Sequence, residues 1–263
     1  MCSTNLKSNV GIGSNLKTSN AEVNHAVRQA EVHHLYEDFV IRTKSSNEWS
    51  LTYFMHPNTK ASSNNPKVIQ DRISRLRYHV TMGQEANQIM IEPNAGGASV
   101  VSEALSMELM HRRFGANEVA TEMAIQYWCV NWKKIDYIAT IHGHRTGVSV
   151  TRAMGYPDAS TFTEADADRL CYKKLFGLVV ARAGISRAFS YERSILHCFC
   201  QDDRIAELMK SAFEKLILVD EERMNHDAES TLTGSIIIIL TVCSNFAEVF
   251  TDDGSCIRNN NNE

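Results

Sequence analysis

Apolar residues in positions 21–44 (Val23, Val27, Ala30, Val32, Leu35, Phe39 and Val40) recur at helical spacing and predict a helix. Positions 49–55 read as a strand, and 56–66, holding Ser62, Ser63, Asn64, Asn65 and Pro66, as a linker. Positions 68–91 carry no single period, so helix and strand both stay open there. Further on, Gly96 and Gly97 precede Ser99, an N-cap for a helix over Val100–Phe114 that Gly115 stops. Strand patterns follow at 119–128, 134–141 and 147–154, the last two joined by a polar turn holding Gly143. Thr161 and Glu164 form a capping box opening a helix that ends near Gly177. A strand at 194–200, a helix at 203–216 and a strand at 236–242 complete the series.

The order helix, three strands, helix, strand, helix, strand predicts an α/β fold with a mixed sheet, antiparallel at the hairpins and parallel across the helical crossover. The expected organisation has four parts. A Ser- and Asn-rich disordered tail covers 1–20, and a helix/strand extension with linker covers 21–66. The α/β core domain covers 67–250, and a disordered Asn-rich tail covers 251–263. The longest apolar run, 236–240, is too short to cross a bilayer, so no membrane partner is expected.

Composition changes this picture in two respects. A net charge of −4 means that the whole molecule does not attract nucleic acid, so any such contact needs a local basic patch. Arg72, Arg75 and Arg77 within 67–77 are one candidate, against the alternative of a solvated face. The 7 cysteines form no Cys-x-x-Cys pair, which argues against a zinc knuckle or a thioredoxin-like motif. Cys198 and Cys200 fall on one strand face as small core residues, and free thiols fit a reducing intracellular compartment, nucleus or cytoplasm.

Three charges aim at apolar surfaces. Glu103 lies within roughly 60° of Val100, Met107, Met110 and Phe114 around its helix, and Lys174 equally close to Ala167, Leu170, Cys171 and Leu178. Asp136 opens a strand and shares a face with Ile138 and Thr140. On the next strand Val148, Val150 and Arg152 face one way, and Ser149, Thr151 and Ala153 the other. Each charge has a plain structural reading. Glu103 suits the positive end of a helix dipole, Lys174 can extend its head to water, and Asp136 suits a turn. Their joint occurrence points to a site. His142-Gly143-His144 offers two imidazoles, but at a hairpin turn and with no third ligand at a fixed spacing.

Residues 99–200 resemble the restriction-endonuclease-like, PD-(D/E)xK superfamily, whose core runs helix, three-stranded meander, helix, strand. The resemblance implies that Glu103 is the helix acid and Asp136 the aspartate opening the second strand, together holding Mg2+. Ser149 and Thr151, beginning 13 positions after Asp136, take the place of the family's acid-x-lysine pair. That is a departure, because hydroxyls are weak ligands for a hard cation. Members of the superfamily sometimes carry the lysine on the following helix, which is where Lys174 falls, and Arg152 is a further candidate for phosphate contact if a bulge turns it inward. Three readings follow. The first is an inactive or degenerate nuclease-like protein that binds nucleic acid or a protein partner through the former active-site face, with a homo-oligomer a further expected partnership. The second is an active Mg2+-dependent nuclease using Glu103, Asp136 and Lys174. The third is an unrelated α/β structural or interaction protein.

Overall fold

The run Ile-Ile-Ile-Ile-Leu-Thr-Val-Cys at 236–243 has no polar face to offer water, and the fold buries all of it inside a sheet. The protein is represented by a computed structural model that describes residues 3–4, 29–55, 68–93, 99–224 and 236–259. In chain order the elements begin with β1 (Ser3–Thr4), β2 (Glu31–Leu35), β3 (Phe39–Lys44), α1 (Ser45–Met55), β4 (Val68–Arg75), β5 (Val80–Met82) and α2 (Gln84–Ile91). Next come α3 (Val100–Phe114), β6 (Asn117–Thr121), β7 (Tyr137–Ile141), β8 (His144–Ala153), α4 (Glu164–Gly184) and β9 (Arg193–Cys200). The chain closes with α5 (Asp203–Met224), β10 (Ile236–Cys243), α6 (Glu248–Thr251) and β11 (Ile257–Asn259).

Among the described residues, nine strands form one mixed sheet in the order β1-β2-β3-β4-β10-β9-β8-β7-β6. Strands β4, β10, β9 and β8 are mutually parallel, and the hairpins on both flanks are antiparallel. Helices cover both faces. Leu51 of α1, Ile89 of α2, Leu105 and Met107 of α3 and Val249 of α6 fill one core with Val148, Val150 and Phe199. Leu175 and Leu178 of α4 and Met209 and Phe213 of α5 fill the other with Ile138, Leu196 and Leu240. The expected α/β class with a mixed sheet is what forms. No helix among the described residues is long and apolar enough to cross a membrane.

Several local expectations are corrected. The helix expected over 21–44 is, from Glu31 on, the β2–β3 hairpin, closed by Tyr36 N–H donating to Phe39 C=O at 3.0 Å. Phe39 to Ile41 bury themselves by pairing with β4, and that pairing overrides a weak helical period. Residues 21–28 and the linker at 56–66 lie outside the described residues. The strand expected at 49–55 is part of α1, where Ser50 Oγ donates to Ser46 C=O at 2.7 Å and Leu51 is buried. Both tails hold some order. Ser3–Thr4 pairs with β2 and Ile257–Asn259 with β5, while residues 5–20 and 260–263 lie outside the described set.

Helix α4 is capped by Thr163 with Asp166 rather than by Thr161 with Glu164, because Thr161 Oγ instead donates to the carbonyls of Tyr156 and Asp158. It also runs on to Gly184, past Gly177. A Cβ at Gly177 would meet the Lys133 side chain at 2.9 Å, and one at Gly184 the Trp132 indole at 2.0 Å. Both glycines admit close neighbours, and Gly177 does so inside the helix rather than ending it.

The last turn of α3 is held by ion pairs, one within the helix to Glu108 and the others to other parts of the fold. Arg112 bridges Asp38 and Glu108, and Arg113 bridges Asp71 of β4 and Glu48 of α1. Burial opposes the ionised Glu48, but hydrogen bonds from His34 and Arg113 and their charges hold its pKa below the ordinary value. Arg113 and Asp71 are both buried, so removing one strands the other's charge. Arg113→Met is expected to lower stability in urea unfolding by about 3–5 kcal/mol. A loss below about 1 kcal/mol, the range of exposed pairs, would show that this pair does not fix α3.

Candidate functional site

Strand β8 is twice as long as β7: Tyr137 pairs with Val148, and β8 continues from there to Ala153 with only β9 beside it. The edge groups of Val150 therefore lie where β7 no longer runs, and two side chains take them. Asp136 Oδ2 accepts the Val150 N–H at 2.5 Å and the Ser149 hydroxyl at 2.9 Å, while Asp136 N–H donates to Val148 C=O at 3.1 Å. Lys174 Nζ donates to Val150 C=O at 2.8 Å. A carboxylate and an ammonium thus grip the two ends of one strand residue.

Helices α3 and α4 lie on opposite faces of the sheet, so Glu103 and Lys174 approach this fork from two sides. Glu103, in the first turn of α3, is 6% exposed and accepts the Ser99 hydroxyl at 2.6 Å. Burial raises its carboxyl pKa from 4.5 to about 7, with a further rise from the Asp136 carboxylate. The Ser99 bond and the Lys174 charge pull the other way, and Glu122 adds to the rise. Four ionisable groups therefore share one field.

Glu122 was missed by sequence reasoning, which ran a strand through it; β6 ends at Thr121, and Glu122 enters the connection to β7. Glu122, Asp136, Ser149 and Lys174 line a cleft of about 440 Å³. Trp132, Lys133 and Lys134 border the same cleft. The connection is docked on α4 and the residues after it. Trp128 N–H donates to Gly184 C=O at 2.9 Å, Trp132 Nε1 to Val180 C=O at 2.7 Å, and Ser186 N–H to Gln126 C=O at 2.9 Å. The Tyr127 hydroxyl accepts Ile135 N–H at 3.0 Å, and burial with the nearby acids pushes that phenol up to about 12.

Glu103 does not line the cleft but lies buried within the field of Asp136, and the remaining predicted residues also fall outside it. Thr151 is buried on the same strand face as Ser149 but does not line it. Arg152 points to the other face, donating to the carbonyls of Val249 and Phe250 at 3.3 and 3.4 Å. Its pairing with Phe199 is in unbroken register, so no bulge turns it inward. The basic candidates are neutralised locally, Arg72 by Asp203, Arg75 by Glu248 and Arg77 by Glu37. His142 and Gly143 form the tight β7–β8 turn with φ of 49° and 80°. No group of three or more His, Cys, Asp or Glu side chains among the described residues is arranged to hold a metal. Cys198 and Cys200 are free and buried, as expected for core residues.

Beneath the site runs a buried polar chain that the sequence pattern did not reveal. The Tyr137 hydroxyl meets Ser106 Oγ at 2.8 Å, Ser106 Oγ meets His197 Nδ1 at 2.8 Å, and His197 Nε2 meets Thr241 Oγ1 at 2.9 Å. It ties α3 to β7, β9 and β10. Burial, with some help from Arg113, lowers the His197 pKa to about 3 and keeps the imidazole neutral.

No family model matches this chain, and no solved structure matches it. It is similar to the AAC-rich mRNA clone AAC4 protein of Dictyostelium discoideum, 33% identical over 135 residues that cover 49% of this chain and 20% of that protein. The match therefore spans about a fifth of the relative's length.

With a folded pKa near 7 against 4.5 when unfolded, Glu103 favours folding most at low pH, and that contribution is lost as pH rises toward 7. Glu103→Gln removes this dependence. Relative to wild type, the variant is expected to gain on the order of 2 kcal/mol between pH 5 and pH 8, read from urea unfolding at each pH. Parallel pH curves for the two proteins would show that Glu103 is ionised throughout.

Proposed function

We propose that the fork is a degenerate nuclease-type site that takes up a divalent cation and, with it, the phosphate backbone of nucleic acid. The order α3, β6-β7-β8 antiparallel, α4, β9 parallel to β8 supports this reading, since the PD-(D/E)xK core has that sequence of elements. The observation that carries it is the shared field of Glu103, Asp136 and Glu122 around one lysine. At Glu103 itself the Asp136 and Glu122 charges outweigh that of Lys174, an imbalance that a proton on Glu103 relieves in part and a hard cation would relieve better. Glu103 and Asp136 are the two that would hold Mg2+, with waters and phosphate completing its shell. Bound there, the ion would polarise a phosphate oxygen and lower the pKa of a water.

The chain's own residues do the positioning. Val150 N–H and the Ser149 hydroxyl fix Asp136 through Oδ2, and Lys174 presents positive charge at the same strand residue. Ser149 stands where the superfamily has an acid and bonds Asp136 rather than adding a third carboxylate. Binding without efficient cleavage is therefore the first reading. The hydrogen bond of Lys174 to Val150 favours a second, in which the helix lysine replaces the one missing at Thr151 and the site still cleaves.

At about 10 mM Mg2+ and pH 8, the melting temperature is expected to rise by about 2–6 °C. The rise should shrink at pH 6, where protons compete for Glu103, and vanish in Asp136→Asn. No shift with Mg2+, Mn2+ or Ca2+ rejects the cation site. Labelled single- and double-stranded DNA and RNA then separate the two readings: cleavage by wild type that is lost in Lys174→Ala establishes the second.

A further inference from the structure

We propose that residues 122–136 form a stacking platform that feeds single-stranded nucleic acid into the carboxylate cleft, an inference that rests on the phosphate-binding reading above. This segment leaves Trp128 79% exposed and Val130 89% exposed. Single exposed apolar side chains are ordinary, but Met123, Trp128, Val130 and Trp132 are all exposed within this one segment, and such clustering marks an interaction face. Here the backbone is fastened. Trp128 N–H is held by Gly184 C=O, and the Trp132 indole lies over the same Gly184 with its own N–H on Val180 C=O. The backbone of Trp128 and the indole of Trp132 are thus anchored to the last turns of α4, the Trp128 ring facing water and the Trp132 ring bordering the cleft. An aromatic ring carried on a fastened backbone, with only two side-chain torsions to fix, loses little entropy when a planar group stacks on it.

The charges beside these rings suit a nucleic-acid strand. Lys133 lays its aliphatic stem across Gly177, and Lys133 and Lys134 both line the cleft that holds Asp136 and Lys174. A line of indole, lysine pair and cation-seeking carboxylates offers one strand a place for a base, then for phosphates, then for a divalent ion. In a duplex the bases are stacked on each other and give Trp128 no free face, so the occupant is single-stranded.

The test uses fluorescence anisotropy of the full chain with labelled oligo-dT, oligo-U and a hairpin duplex in Ca2+, for wild type, Trp128→Ala, Lys133→Ala/Lys134→Ala and Asp136→Asn. The expected result is tighter binding of single strands than of duplex, weakened about tenfold by Trp128→Ala, with the divalent-ion thermal shift unchanged in that variant. The lysine double variant should show a shallower salt dependence. Stronger loss for oligo-U or for oligo-dT tells RNA from DNA, and either supports the platform. If wild type binds no oligonucleotide, or Trp128→Ala binds as wild type does, or duplex binds best, the platform is overturned, whereas the thermal shift alone decides the cation site. If the shift is absent while Trp128-dependent binding persists, the platform stands and the cation reading falls.

Discussion

The site depends on one mismatch of strand length. Because β7 begins at Tyr137 while β8 runs on to Ala153, the edge of Val150 has no strand partner on that side. A buried amide without partners is costly, and a side chain that satisfies it becomes fixed in turn. Asp136 and Lys174 meet that need with opposite charges, which places a carboxylate and an ammonium on one residue of one strand. The gap has a second consequence. At this gap Glu103 from one face and Lys174 from the other feel each other's charge, although their helices pack in different cores.

Holding α3 in register is the complementary requirement, since Glu103 reaches the fork only if its helix does not slide or roll. The two ends of α3 are fixed by different chemistry. Ion pairs from Arg112 and Arg113 secure the last turn, and Asp252 accepts the Val101 N–H at 2.9 Å in the first. Between them Ser106 anchors the middle through Tyr137 and His197. The buried groups pull stability in opposite directions with pH. His197, with its pKa depressed to about 3, costs stability as pH falls below about 6.5, where the unfolded imidazole gains a proton that the folded one refuses. Glu103 does the reverse, losing its contribution as pH rises toward 7. His197 therefore favours neutral pH while Glu103 favours acid.

Much of the core was legible because its signals are local. Ser99 and Gly115 bracket α3 as expected, and Gly115, at φ 66°, occupies the left-handed position that ends the helix. Strand alternation correctly separated Ser149 from Val150 and Arg152, and helical angles correctly brought Lys174 toward the sheet. What was illegible is non-local. The β2–β3 hairpin has apolar residues that satisfy both a helical and a strand period, and only β4, some thirty residues on, decides between them. Glu122 gave no signal because its neighbours read as strand, and its meaning arises only where the chain returns to Asp136. Arg152 was misplaced in role because the carbonyls that receive it, at 249 and 250, lie a hundred residues away.

The acidic chain and the proposed anionic ligand are compatible because charge acts locally. At physiological salt, fields fade over about 8 Å, so a net charge of −4 says little about one cleft. The arginines that looked basic in sequence are each beside an acid, whereas Lys133, Lys134 and Lys174 gather around a single opening. That opening also holds Asp136 and Glu122, and without a cation these acids would repel phosphate about as strongly as the lysines attract it. Under the proposed cation reading, affinity for a phosphate chain would be strengthened by the same ion that displaces the proton from Glu103, which would couple strand binding to both divalent concentration and pH through one carboxyl group.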